Sequence, residues 1–173
     1  VSLIYKNGKL IRALTRGDGY SGEDITHNIK TINAVPMILR GENYPSFLEI
    51  RGEIFMLKSD FEILNKARSH VGEKLFANAR NAAAGSVRQL DPNITSRRKL
   101  SIFCYELGAS DGLDVNTHWD MLSYLKSIGL PVNPLAKKID SIDSMILYHQ
   151  DLEKKRDSIP YEIDGSVIKV DSY

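Results

Sequence analysis

The chain has 173 residues, 42% of them hydrophobic and 26% charged, and its 23 Lys+Arg against 22 Asp+Glu leave a formal net charge of +1. That balance excludes a disordered tail, a collagen-like fibre and a disulfide scaffold, and the length suits one domain, or a domain with a subdomain, able to bury its own core. The single cysteine, Cys104, lies among Ile102, Phe103 and Tyr105 and reads as a buried thiol in a cytoplasmic setting, and no apolar run reaches the roughly 20 residues that a bilayer requires.

Val1 runs straight into Ser2-Leu3-Ile4-Tyr5, an opening expected of a piece of a longer chain. Residues 2–5 and 10–15 are rich in β-formers and flank Lys6-Asn7-Gly8-Lys9, which predicts a hairpin closed by a type I′ turn. Gly17-Asp18-Gly19-Tyr20-Ser21-Gly22 predicts a flexible loop, followed by a short helix with Glu23 and Asp24 in its first turn and Ile25, Ile29 and Ile32 at helical spacing. Residues 48–56 alternate as a strand, with Leu48, Ile50, Ile54 and Met56 on one face and Glu49, Arg51, Glu53 and Phe55 on the other. Ser59 with Glu62 predicts a capping box opening a helix striped with Phe61, Leu64, Ala67 and Val71. Residues 79–90 form the next expected helix, with Arg80, Ala84 and Arg88 at four-residue steps, and residues 100–107 the next strand. Residues 117–128 predict a helix closed by Gly129 and Pro131, and residues 141–156 another. Residues 161–170 read as a last strand, in which Gly165 marks a bulge or the close approach of a ligand. Strands and helices interspersed in this irregular way predict an α+β fold, with largely antiparallel sheets and flanking helices.

Charge is unevenly distributed. Residues 74–99 hold six basic side chains (Lys74, Arg80, Arg88, Arg97, Arg98, Lys99) and one acid (Asp91), a local balance of +5 that leaves the remainder at −4. Clustered arginine suits phosphate oxygens, and the small residues around Arg80 in Asn78-Ala79-Arg80-Asn81-Ala82-Ala83-Ala84-Gly85 let a polyanion come close; a solvated helix face is the structural alternative. On a helix Arg80 and Arg88 stand about 80° and about 12 Å apart, suited to one extended polyanion rather than one phosphate group. Glu53, beside Gly52, can accept from ribose hydroxyls, hold a metal, or simply pair across the sheet. Asp164 and Lys169 suit a metal-and-phosphate site or an edge pair of charges, and strict alternation places them on opposite faces unless Gly165 bulges. His27, His70, His118, His149 and Cys104 show no metal-ligand spacing, and Thr15-Arg16-Gly17-Asp18-Gly19 lacks the Gly-Lys-Ser/Thr of a Walker phosphate loop.

Five stretches in order resemble one family. They are Thr15-Arg16-Gly17-Asp18-Gly19 with Gly22-Glu23-Asp24, Glu49-Ile50-Arg51-Gly52-Glu53, Phe76-Ala77-Asn78 through Arg80 to Ser86, Arg88-Gln89-Leu90-Asp91-Pro92, and Ile163-Asp164-Gly165 with Ile168-Lys169-Val170. Together they resemble the adenylation (nucleotidyltransferase) domain of the NAD-dependent bacterial DNA ligases, from Val1 to Tyr173. The resemblance implies a nucleotidyltransferase (ATP-grasp-like) fold, NAD and Mg²⁺ as cofactors, nicked duplex DNA as partner, and a nucleoid-associated bacterial enzyme of DNA replication and repair. It implies three displacements at phosphorus: a lysine takes AMP from NAD, AMP passes to the 5′-phosphate of a nick, and the 3′-hydroxyl displaces it. By the same resemblance Arg16, Glu53 and Lys169 bind the nucleotide, with Glu53 on the ribose. Arg80, Arg88, Arg156 and Asp164 serve the phosphate chemistry, and Asp164 is the metal-associated acid.

The family's nucleophile lies in a Lys-x-Asp-Gly motif, which these residues lack: Lys58-Ser59-Asp60-Phe61 and Lys169-Val170-Asp171-Ser172 both miss the glycine. The resemblance therefore implies a nucleophilic lysine just before Val1, an inactive fragment, and a partial domain without the nicotinamide-gripping region, the OB-fold, the zinc site or the helix-hairpin-helix part. Other readings of the same residues are a non-catalytic basic DNA-binding module and an ATP-dependent ligase or capping-type nucleotidyltransferase.

Overall fold

The computed structural model describes residues 1–16 and 22–173. The loop expected at residues 17–21 lies outside the described residues. Strand β1 (Ser2–Lys6) turns into β2 (Lys9–Leu14) through Asn7 and Gly8, whose φ angles of 48° and 70° are those the Asn-Gly pair predicts. Strand β3 (Phe47–Met56) pairs with β1, and β4 (Leu100–Ser110) pairs with β3, so the sheet runs β2-β1-β3-β4, antiparallel throughout. The mixed α and β content and the antiparallel sheet agree with the sequence reading.

One face of the sheet carries the core. Leu3, Tyr5, Leu48, Ile50, Met56, Ile102 and Cys104 are buried there. The same cluster takes in Ile29 of α1 (Thr26–Ile29), Ala82 and Ala83 of α3 (Ala79–Val87), and Met121 and Leu125 of α5 (His118–Ser127). Burying each such large side chain contributes about 1.5–3 kcal/mol. Helices α2 (Lys58–His70) and α6 (Ile142–Lys155) bury no residue fully, and α4 (Pro92–Ser96) is a short turn of helix after α3. Asn78, Asp91, Thr117 and Ser141 accept from backbone amides as the N-caps of α3, α4, α5 and α6.

Four local expectations are corrected. The Ser59 capping box does not form: α2 starts at Lys58 with Leu57 as an extended N-cap and no side-chain cap. Its first amide is already satisfied, because Lys58 N donates to the Pro160 carbonyl at 2.9 Å. Helix α1 is a single turn, and Asp24 precedes it, accepting from the Thr26 amide at 3.0 Å. Helix α3 ends at Val87, three residues short of expectation, and the Gln89 side chain donates back to the Gly85 carbonyl. Residues 161–170 form no strand; Val167 and Val170 stand exposed, and the one bridge nearby joins Thr117 to Ser172. A β-rich segment becomes a strand only where another strand's edge accepts its hydrogen bonds.

Candidate functional site

The outer face of the sheet, opposite the core, carries Glu53 at the register position across from Phe103. Gly52 beside it is buried, and its lack of a Cβ is used: an added Cβ would stand 2.9 Å from Ile102 Cδ1 and 3.0 Å from the Phe103 carbonyl oxygen. Val1 threads alongside, its α-amino group donating to the Gly52 carbonyl at 2.7 Å. From just beyond the end of β2 comes Arg16, from the first turn of α3 comes Arg80, and from its C-cap position comes Arg88.

These side chains line one cleft of about 160 Å³ with Val1, Thr15 and Ala84. Arg80 Nη1 pairs with Asp164 Oδ2 at 2.6 Å, with 69% and 81% of the two side chains exposed, and Arg88 Nε pairs with Glu23 Oε2 at 3.2 Å. Exposed pairs of this kind contribute only about 0–1 kcal/mol, so an anionic ligand can displace either carboxylate. Helical spacing alone set Arg80 and Arg88 far apart, yet the short cleft accommodates both ends of α3.

Arg156 and Asp164 line a second cleft of about 190 Å³ with His149, Glu153 and Ser166. The two clefts are joined by the Arg80–Asp164 pair. Lys169 lines neither. Its ammonium lies 3.4 Å from Glu106 Oε1 and 5.8 Å above the ring of Tyr105. Burial raises the Tyr105 phenol above its usual range, with Glu53 and Glu106 adding to the effect, which places this half-exposed ring in the electrostatic neighbourhood of Glu53.

The structure thus brings Arg16, Glu53, Arg80 and Arg88 together, links Asp164 to them through Arg80, and sets Arg156 and Lys169 at the margins. Sequence reasoning gave no site role to Tyr105, nor to Glu23, although Glu23 lies in the first of the five family-like stretches. The signal for Tyr105 was its parity in β4, opposite to buried Ile102 and Cys104.

Among the described residues no group of three or more His, Cys, Asp or Glu is placed to hold a metal ion, and the Asp164 carboxylate is engaged by Arg80. The described residues around Asp164 therefore offer no cluster of donors for Mg²⁺. The donor set does fit a nucleotide: cationic forks for phosphate oxygens and a carboxylate for ribose hydroxyls. The small volume suits a ribose and phosphate rather than a whole dinucleotide, since pockets that enclose drug-sized ligands start near about 300 Å³. No helix among the described residues is long and apolar enough to cross a membrane.

The profile of the NAD-dependent DNA ligase adenylation domain matches residues 1–173. The chain belongs to this family. It is 51% identical over 173 residues to a DNA ligase of Geotalea daltonii and 50% identical over 172 residues to a DNA ligase of Shouchella clausii. A DNA ligase of Geobacter metallireducens is 48% identical over 173 residues. These alignments cover 99–100% of this chain but 25–26% of each relative, so this ligase adenylation chain spans about a quarter of the length of the curated relatives it matches.

Proposed function

We propose that this chain walls the nucleotide and nick-phosphate cleft of an NAD-dependent DNA ligase with a nucleotidyltransferase (ATP-grasp-like) fold. The observation that carries the reading is the convergence of Arg16, Glu53, Arg80 and Arg88, separated by up to 72 positions, on one cleft. Glu53, acceptor-only when ionised, takes hydrogen bonds from the ribose hydroxyls of the adenosine half. Arg16, Arg80 and Arg88 supply the fixed positive charge that developing phosphoryl charge needs, already oriented by the ends of a helix and a strand. The exposed ring of Tyr105, with the Lys169 ammonium on one side of it, offers a flat apolar surface on which a purine stacks. NAD, when bound, supplies the adenylyl group. Arg156 and Asp164, in the adjoining cleft, act on the strand that receives it.

In this reading the whole protein seals nicks: a lysine bonds to the α-phosphorus of NAD and expels nicotinamide mononucleotide, the 5′-phosphate of the nick takes the AMP, and the 3′-hydroxyl displaces it. The lysine belongs to a Lys-x-Asp-Gly motif outside these residues, as do the OB-fold, zinc and helix-hairpin-helix parts. The span of a quarter of each relative supports this division of labour.

Calorimetric titration of the 173-residue chain with AMP tests the cleft. Glu53→Ala and Arg16→Ala are expected to weaken binding about tenfold or more. AMP binding untouched by Glu53→Ala overturns the nucleotide reading. If duplex DNA binding then still falls with Arg80→Ala and Arg88→Ala, the chain is a bare DNA-binding module.

A further inference from the structure

Leu90, at 104% relative exposure, is the most exposed large hydrophobic residue among the described residues. It stands at the tip of the turn between α3 and α4, and that turn is pinned on both flanks. Asn28 Nδ2 donates to the Gln89 carbonyl and to Thr95 Oγ1, each at 2.8 Å, and the Thr95 hydroxyl donates to the Ser86 carbonyl at 2.8 Å. Asn28, Ser86 and Thr95 are all buried. Beyond the tip, Asp91 Oδ1 accepts from the Asn93 amide at 2.9 Å. A turn held by buried hydrogen bonds on one side and a helix cap on the other cannot relax to hide its tip, so the leucine forgoes the stabilisation its burial would bring.

The sequence that carries the tip is basic. Residues 88–99 hold four basic residues against the single acid Asp91, whose carboxylate is occupied at the α4 cap. Arg88, Arg97 and Lys99 are exposed, with Arg88 paired to Glu23 at 3.2 Å and Lys99 to Asp60 at 3.4 Å, contacts that a phosphate can displace, and Arg88, two positions before the tip, lines the cleft. An apolar knob in a basic stretch of chain complements a surface of the converse design, apolar walls edged by phosphates. The minor groove of duplex DNA is such a surface, and leucine is among the side chains that wedge into it.

We propose that Leu90 is a duplex-contacting residue, seated in the minor groove beside the phosphate that Arg88 holds, and that it sets the register in which the strand meets the cleft. The inference rests on the nick-phosphate reading of Arg88. Because the turn is prefolded, seating the leucine orders no additional backbone.

The test uses the 173-residue chain and a nicked duplex carrying 2-aminopurine one step from the nick. Binding is followed by anisotropy and base unstacking by 2-aminopurine fluorescence. Wild-type binding is expected to brighten the probe. Leu90→Ala is expected to bind about tenfold more weakly and lose the brightening, with an unchanged salt slope and melting temperature, and Leu90→Met to restore both signals. Equal affinity and brightening in Leu90→Ala overturn the inference while leaving the cleft reading intact, provided Arg88→Ala still lowers the salt slope by about one. A salt slope unmoved by Arg88→Ala, or a wild type that binds no duplex, defeats the phosphate reading and this inference with it. A wild type that self-associates and becomes monomeric as Leu90→Ala reassigns the tip to a contact between copies, and also overturns it.

Discussion

Gly52 and Glu53 show how much of the cleft is decided by single residues. Glu53 points outward because the strand alternates, but its neighbour is a glycine because the other face of β3 has no room for a methyl group against Ile102 and the Phe103 carbonyl. Gly52→Ala forces backbone or packing apart in the middle of the sheet and is expected to destabilise the chain by about 1–3 kcal/mol, read from urea unfolding. Retention of full stability would mean that β3 and β4 separate freely. At Arg80 the balance is opposite. Its partner Asp164 is exposed, so Asp164→Asn is expected to change stability by less than about 1 kcal/mol. Removing that charge frees the guanidinium, and the variant is expected to bind inorganic phosphate more tightly than the wild type in a competition titration. Weaker phosphate binding would show that Asp164 orients Arg80 rather than competing for it.

At the scale of elements, the turn joining α3 to α4 is held by polar groups sealed from water. Thr95→Val keeps the shape but leaves the Ser86 carbonyl without its donor and Asn28 Nδ2 with one acceptor fewer. The expected cost is about 1–3 kcal/mol in urea unfolding, with Arg88 losing its fixed position and the salt slope of DNA binding falling with it. Stability unchanged in this variant would mean that water replaces the hydroxyl. None of this network was legible in the sequence, since Asn28 and Thr95 are separated by a sheet strand and two helices. Elements with a strict period were legible: β3 by its alternation, α5 by its Gly129 stop, the first hairpin by Asn7-Gly8. Where a distant segment intervened, local signals failed. Pro160 satisfies the first amide of α2, which displaced the expected cap, and residues 161–170 have strand composition but no strand to pair with. The cleft was half legible for the same reason. Arg16, Glu53, Arg80 and Arg88 are recognisable one at a time, but their convergence depends on the order β2-β1-β3-β4, which no local pattern encodes.

For the molecule as a whole, a net charge of +1 conceals two opposed distributions, and its pH response follows from a few groups whose ionisation differs between the folded and unfolded chain. On the acid side, burial and the nearby Lys169 hold His118 below its ordinary value of 6.5, against Glu106 and Asp171, while its Nδ1 meets the Tyr173 hydroxyl. It binds a proton more readily when unfolded, so stability present above that value is lost as pH falls below about 6.5. Asp24, held down to about 2 by hydrogen bonds from Thr26 and by Arg12, adds a further loss as pH falls from about 3.8 towards about 2. On the alkaline side, burial pushes the Cys104 thiol from 9.0 up to about 12 and the Tyr5 phenol upward as well. The unfolded chain ionises these groups first, so stability declines as pH rises beyond about 9. The expected profile is a plateau between about pH 6.5 and about pH 9 with shoulders on its acid side, measured as urea midpoints across the range. His118→Gln is expected to flatten the shoulder near pH 6.5 and leave the other, Asp24→Asn to remove the one below about pH 4, and Cys104→Ala to shallow the alkaline limb. A shoulder near pH 6.5 that survives His118→Gln would assign it to another of the four histidines, and the hydrogen bonds that the His118 and Trp119 amides donate to Asp171 at the start of α5 would then be insensitive to protonation.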